Sequence, residues 1–136
     1  MKISVDTNVL LRSVVRDDPG QASVADRALR EASMISISLP CLCEFVWVLR
    51  KVYRFERAKI ALAIRALMGA DKIILNRPAV KVGLSLLDAG GDFADGVLAY
   101  EGARLGGEIF LSFDRQAVSL LQRQGMLVRM LSSSEN

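Results

Sequence analysis

The chain predicts a three-layer α/β/α domain built on a five-stranded, mostly parallel sheet. Three observations carry that expectation. Short runs rich in β-branched residues alternate with longer stretches of helical apolar spacing along the whole chain. Hydrophobic residues make up 51% of the 136, which suits strands covered on both faces. No linker or repeat divides the sequence, and its length allows one domain to bury most of its apolar surface without staples. Residues 1–131 are expected to form that domain, with 132–136 a frayed tail.

The elements follow in order. Lys2 to Val5 reads as a buried strand and Thr7 to Val15 as a helix, broken by Asp17-Asp18-Pro19-Gly20. A second helix runs from about Gln21 to Ala32, where Ala22, Ala25, Ala28, Leu29 and Ala32 make one apolar face. Met34 to Leu39 is the second strand. Pro40 suits the first turn of a helix that continues to about Tyr53. Another helix spans Glu56 to Met68, and Lys72 to Leu75 is a short third strand. Pro78 to Asp88 is helical, ended by Ala89-Gly90-Gly91. Phe93 to Leu105 is a helix stopped by Gly106-Gly107. Ile109 to Phe113 makes the fourth strand, Arg115 to Gln124 the last helix and Met126 to Met130 the fifth strand.

Composition excludes several chemistries. Histidine is absent, which rules out a Ser-His-Asp triad, a Cys-His pair, a histidine-based ribonuclease and any His-ligated zinc. Acid–base or metal chemistry therefore falls to carboxylates. Cys41 and Cys43 are too few for a structural zinc site, and both read as small buried hydrophobes. No apolar run reaches the ~20 residues of a membrane span. Asp6 interrupts the first apolar stretch too early for a signal peptide, so a cytoplasmic protein is expected. The net charge is +3. If four acids serve a metal, the remaining 11 acidic side chains face 18 basic ones, a balance of +7 suited to a polyanion.

Four acids occupy matching places in this frame. Asp6 and Asp114 stand at the carboxyl ends of the first and fourth strands. Glu44 lies in the helix after the second strand, and Asp95 in the first turn of the helix opened by "GGDFAD". Strands of a parallel sheet point one way, and ligands bind beyond their carboxyl ends, so the four are expected to converge on one rim. Each also has a plainer use. Asp6 and Asp114 are good helix N-caps, worth about 1 kcal/mol. Asp92 and Asp95 have capping-box spacing. Glu44 resists that treatment: it is the only charge between Glu31 and Arg50, in an apolar run with no obvious solvent face. Clustered carboxylates raise one another's pKa unless a cation neutralises them. An all-oxygen donor set is what Mg²⁺ or Mn²⁺ prefers, and such a site assists phosphodiester hydrolysis.

"VDTNVLL", "CEFVWVL", "DFADGVLAYEGARLGG" and "LSFDR" resemble, in order and spacing, the PIN-domain ribonucleases, and among them the VapC toxins of bacterial type II toxin–antitoxin systems. The resemblance spans nearly the whole chain. It implies a five-stranded parallel sheet and a Mg²⁺- or Mn²⁺-dependent endoribonuclease that cuts structured RNA, such as tRNA or rRNA. It also implies a homodimer held in check by a VapB-type antitoxin, with no membrane partner. Carried over by position, Asp6, Glu44, Asp95 and Asp114 are the acidic quartet. Asp6 and Asp95 are the main metal ligands; Glu44 and Asp114 complete the pocket directly or through water. Ser112 stands where the family often has Thr, on the same strand face as Asp114, able to hold a water or an acid. Thr7, Asn8 and Arg115 are second-layer orienters or, alternatively, helix-start residues and a surface charge.

Gly96 departs from the pattern, since a larger helix former is usual there and Gly costs ~1 kcal/mol relative to Ala. It either loosens the turn carrying Asp95 or lets RNA approach. "RKVYRFERAK", Arg50 to Lys59, holds five basic residues and two aromatics. It is open to two uses: RNA binding through phosphates and base stacking, or a solvated helix–turn–helix with its aromatics in the core. The aromatics are also candidates to meet the antitoxin or the second protomer. Two other function classes compete. A receiver-like phosphoacceptor domain needs an Asp after the third strand and a late Lys. The third strand here ends in Leu75-Asn76, and no Lys follows Lys81. A catalytically silent regulatory binding module has no need of intact acids.

Overall fold

Lys2–Ser4, Met34–Ser36 and Ile73–Ile74 form strands β1, β2 and β3. They pair in parallel in that order, Ile3 opposite Ile35 and Ile35 opposite Ile73. Phe110–Ser112 and Val128–Met130 form β4 and β5, a two-stranded parallel sheet with Leu111 opposite Arg129. This is a computed structural model, and it describes residues 1–133; of the tail expected at 132–136, residues 134–136 lie outside the described residues. The α/β class and the parallel pairing agree with the sequence. The chain divides into two compact units, one running Met1–Arg77 and the other from Pro78 on.

In the first unit, Thr7–Val14 forms α1 and Pro19–Glu31 forms α2. The second helix starts two residues before the sequence pattern suggests. Asp18 caps it by accepting from the Gln21 N–H at 3.0 Å, and Pro19 opens its first turn, where a missing N–H costs nothing. Leu39–Lys51 forms α3 and Arg57–Gly69 forms α4. Leu39 therefore belongs to a helix and not to the second strand. The Ser38 hydroxyl accepts from the Cys41 N–H at 3.3 Å and turns the backbone there. The strand ladder itself fades gradually, since the Ile37 N–H still reaches the Ile74 carbonyl at 3.0 Å. Leu10, Ile35, Phe45, Leu49, Ile60 and Ile64 are buried. Lys72 precedes β3 instead of starting it, and its ammonium donates to the carbonyls of Leu29, Arg30 and Ala32 at 2.6, 3.1 and 3.2 Å. That satisfies the carboxyl end of α2 with a positive charge.

β1 is not the buried strand its composition suggests. Lys2 and Ser4 are exposed and Ile3 is half-buried, because β1 is the edge of its three-stranded sheet. On α2 the apolar face is narrower than expected: Ala22 and Ala25 are buried, Leu29 is half-buried and Ala28 is exposed.

In the second unit, Arg77–Asp88, Phe93–Arg104 and Arg115–Arg123 form α5, α6 and α7. Leu86, Ala99, Leu120 and Leu121, one layer from these three helices, pack with Phe110, Met126 and Val128 of the strand side. Met126 precedes the fifth strand instead of starting it. Gly125 sits at φ +82, and the Met126 N–H closes back on the Leu121 carbonyl at 3.1 Å, a helix-ending turn that favours glycine. No helix among the described residues is long and apolar enough to cross a membrane.

Candidate functional site

In the first unit Asp6 follows β1 and caps α1. Its Oδ1 accepts from the N–H groups of Asn8 and Val9 at 3.1 and 3.3 Å. Among the described residues its Oδ2 accepts no hydrogen bond, and the side chain is exposed. Capping and ligand duty are thus not rivals. One oxygen fixes the carboxylate on a helix N-terminus, and the other is left to face outward.

Glu44 corrects the sequence expectation. It is exposed, not enclosed. Pro40, Glu44, Trp47 and Lys51 lie at helical spacing on the outer face of α3, all exposed, while Cys41, Leu42, Phe45 and Leu49 fill the inner one. An apolar sequence hides that face because Trp47 itself is 56% exposed.

Cys41 ties the two acids together. Burial pushes its thiol pKa up, the charges of Asp6 and Glu44 push it further, and a hydrogen bond with Thr7 opposes them. Asp6 and Glu44 therefore bear on one point, and the thiol there is kept protonated and unreactive. Thr7 is the buried polar residue of this cluster. Sequence reasoning took Cys41 for a plain core residue. The signal was its spacing of three from Glu44, which puts both on adjoining helical positions. Cys43, expected to be buried like Cys41, is only partly so.

In the second unit Asp114 follows β4 and caps α7, its Oδ1 accepting from the Ala117 N–H at 3.0 Å. Ser112 accepts from the Asp114 N–H through its hydroxyl at 2.9 Å. It positions the acid through the backbone, and as an acceptor here the hydroxyl keeps its own proton to donate. Asp92 caps α6 by accepting from the Ala94 N–H at 3.1 Å. Asp95, three residues on, supplies only its backbone N–H, to the Asp92 carbonyl at 3.1 Å. Neither bond of a capping box forms among the described residues, since Asp92 caps through the Ala94 N–H. Among the described residues no hydrogen bond or ion pair reaches the Asp95 carboxyl, which is half-buried. Burial first, then the charges of Asp92 and Asp114, raise its pKa from 3.8 to about 6.

A carboxyl with its folded pKa above the unfolded value holds more protons folded than unfolded between the two. Its contribution to stability therefore falls as pH rises from 3.8 to about 6. Asp95→Asn is expected to raise the melting temperature of the metal-free protein at neutral pH. The gain should fade as the pH is lowered through 6 towards 3.8. A difference in melting temperature that ignored pH, measured by circular dichroism, would refute this account of the site.

The structure thus brings Asp6 and Glu44 to Cys41 in one unit, and Asp95 and Asp114 with Asp92 in the other. None of these acids forms a salt bridge among the described residues; the ion pairs found involve Asp17 and Asp26. Within neither unit do three His, Cys, Asp or Glu side chains form a ready metal-holding group among the described residues. The donors are carboxylate oxygens without cationic partners, which is chemistry that fits a hard divalent ion. Asn8 and Arg115 are exposed beside Asp6 and Asp114. A groove of about 460 Å³ between α1 and α2 opens at Asp6 and Asn8.

Gly96 has a packing cause. A Cβ there would meet the Val82 carbonyl at 2.7 Å and the Cα and N of Gly83 at 2.8 and 2.9 Å. It permits α6 to cross α5 closely, a packing cause that the sequence does not show. Compared with protein families and with proteins of curated function, the chain matches none.

Proposed function

We propose that the chain is a divalent-metal-dependent endoribonuclease of PIN-like, three-layer α/β/α fold with a five-stranded sheet, and the toxin of a VapBC-type pair. By the sequence resemblance, Asp6, Glu44, Asp95 and Asp114 are the acids that would hold Mg²⁺ or Mn²⁺. The observation that carries this is Asp95: a half-buried carboxyl, raised to about 6 by burial first and then by two neighbouring acids, and met by no cation among the described residues. Such crowding weakens a fold unless the charge has a use. The sequence resemblance supports the same assignment.

The reaction is hydrolysis of an RNA phosphodiester: water adds at phosphorus, the 3′-oxygen leaves, and the ends are a 5′-phosphate and a 3′-hydroxyl. A bound divalent ion supplies a lowered pKa for water and neutralises charge developing on the phosphodiester. The chain's own residues aim and hold. The α1 N-terminus orients Asp6, Ser112 and the α7 N-terminus orient Asp114, and Thr7 secures Cys41 behind Asp6. The substrate is a structured RNA, tRNA or rRNA, met in the cytoplasm. The protein works as a homodimer and is silenced by a VapB-type antitoxin.

The direct test is incubation of total RNA with purified protein, with Mg²⁺ and with EDTA, followed by mapping of the ends. Cleavage only with the metal, leaving 5′-phosphates, is expected. Equal cleavage in EDTA refutes the metal role. No cleavage together with no Mn²⁺ uptake by calorimetry leaves a silent binding module.

A further inference from the structure

The basic turn between α3 and α4 takes no part in the acidic site, and its aromatics are already occupied. Tyr53 and Phe55 meet edge to face, ring centres 6.5 Å apart and planes at 65°. The Lys59 ammonium lies 4.1 Å from the Phe55 ring centre. The Tyr53 hydroxyl donates to Asp17 at 3.3 Å. Backbone bonds from Tyr53 N to the Val48 carbonyl and from Phe55 N to the Leu49 carbonyl, with Arg50 donating to the Phe55 carbonyl, close the turn. These half-buried rings pack against each other and against Lys59 within the turn.

The charges outside it are different. Lys51, Arg54 and Lys59 are exposed, and no acidic side chain pairs with any of them among the described residues. Arg54 has φ +58, the one positive value outside glycine among the described residues. Glycine or asparagine takes that conformation easily, and a long side chain does not. A backbone outlier of this kind is grounds for a functional hypothesis about the side chain it carries. It projects a guanidinium from the tip of the turn, where backbone geometry alone would call for glycine.

We infer that this turn is a phosphate-binding surface for the unpaired stretches of the structured RNA substrate, in which Arg54 and Lys51, beside the Tyr53–Phe55–Lys59 packing, contact the sugar-phosphate backbone without reading sequence. The inference rests on the ribonuclease proposal for its choice of RNA as the polyanion. Phosphate contacts of this kind make binding electrostatic and strongly salt-dependent.

The test is fluorescence anisotropy of a labelled mixed-sequence single-stranded RNA in EDTA, so that binding is read without cleavage. Arg54→Gly and Lys51→Ala are each expected to weaken binding about three- to tenfold at low salt and to lower the salt slope by about 0.7. Arg27→Ala, the same charge change on the exposed side of α2, is the control and is expected to do much less. Arg54→Gly should also keep or raise the melting temperature, since it relieves the backbone. Equal effects of Arg54→Gly and Arg27→Ala overturn the inference. So does displacement of RNA by polyglutamate at matched charge, which would point to an acidic protein partner. RNA bound at the turn but never cut leaves this inference standing and removes the ribonuclease. RNA cut with indifference to Arg54 does the reverse.

Discussion

Asp6→Asn protein is expected to fold as the parent does and to leave RNA intact. Asparagine caps a helix about as well as aspartate, and its side-chain carbonyl can still accept from the N–H groups of Asn8 and Val9. What it loses is the negative charge on the oxygen that the cap leaves unused. If that oxygen is a metal ligand, several kcal/mol of transition-state stabilisation disappear, a rate loss of about 10²–10⁴-fold. Asp6→Ala confounds the two roles by removing the cap as well, at about 1 kcal/mol. The comparison that decides is cleavage rate against melting temperature: Asn should lose only the first, Ala should lose both. Undiminished cutting by Asp6→Asn would sink the assignment of this carboxylate. Asp95→Asn is expected to be as inactive while more stable at neutral pH, because it removes the most crowded charge of the second unit.

Gly96→Ala tests the fold from the other direction. Helix propensity alone says that alanine inside α6 should stabilise by ~1 kcal/mol. The packing says the opposite. The new methyl would lie within 3 Å of three backbone atoms of α5, and backbone cannot swing aside as a flexible side chain can. An expected net loss of about 3 kcal/mol follows, the upper end of the usual cost of overpacking. It should appear as a fall of roughly 10 °C in melting temperature. Gly83, facing it, is crowded by a side chain instead, since a Cβ there would meet the buried Phe93 ring at 2.7 Å. A more stable Gly96→Ala protein would mean that α5 and α6 do not cross as described.

Legibility varied by the kind of cause at work. Asp6, Asp92 and Asp114 were readable as caps because capping is local: the residue, its strand and the next N–H groups adjoin in sequence. Glu44 misled because a helix face is set by what packs on it, and Trp47 gave an exposed face the composition of a core. Asp95 was readable as an acid in a first turn, but not as the raised one. Its environment comes from burial and from Asp114, nineteen positions away in "DGVLAYEGARLGGEIFLSFD". Gly96 looked like a local weakness because the partner that needs it small lies on another helix. Ser112 was placed on the correct strand, yet its bond to the Asp114 N–H depended on where β4 stops.

Residue order alone decided the α/β class, the helix starts at Asp6, Asp92 and Asp114, and the restriction of chemistry to oxygen donors, since these follow from neighbours in the chain and from a missing imidazole. Which acids are crowded, which face of α3 meets solvent and why a glycine interrupts α6 were settled only by folding. Those properties belong to distances between residues far apart in sequence, and burial and charge act through space.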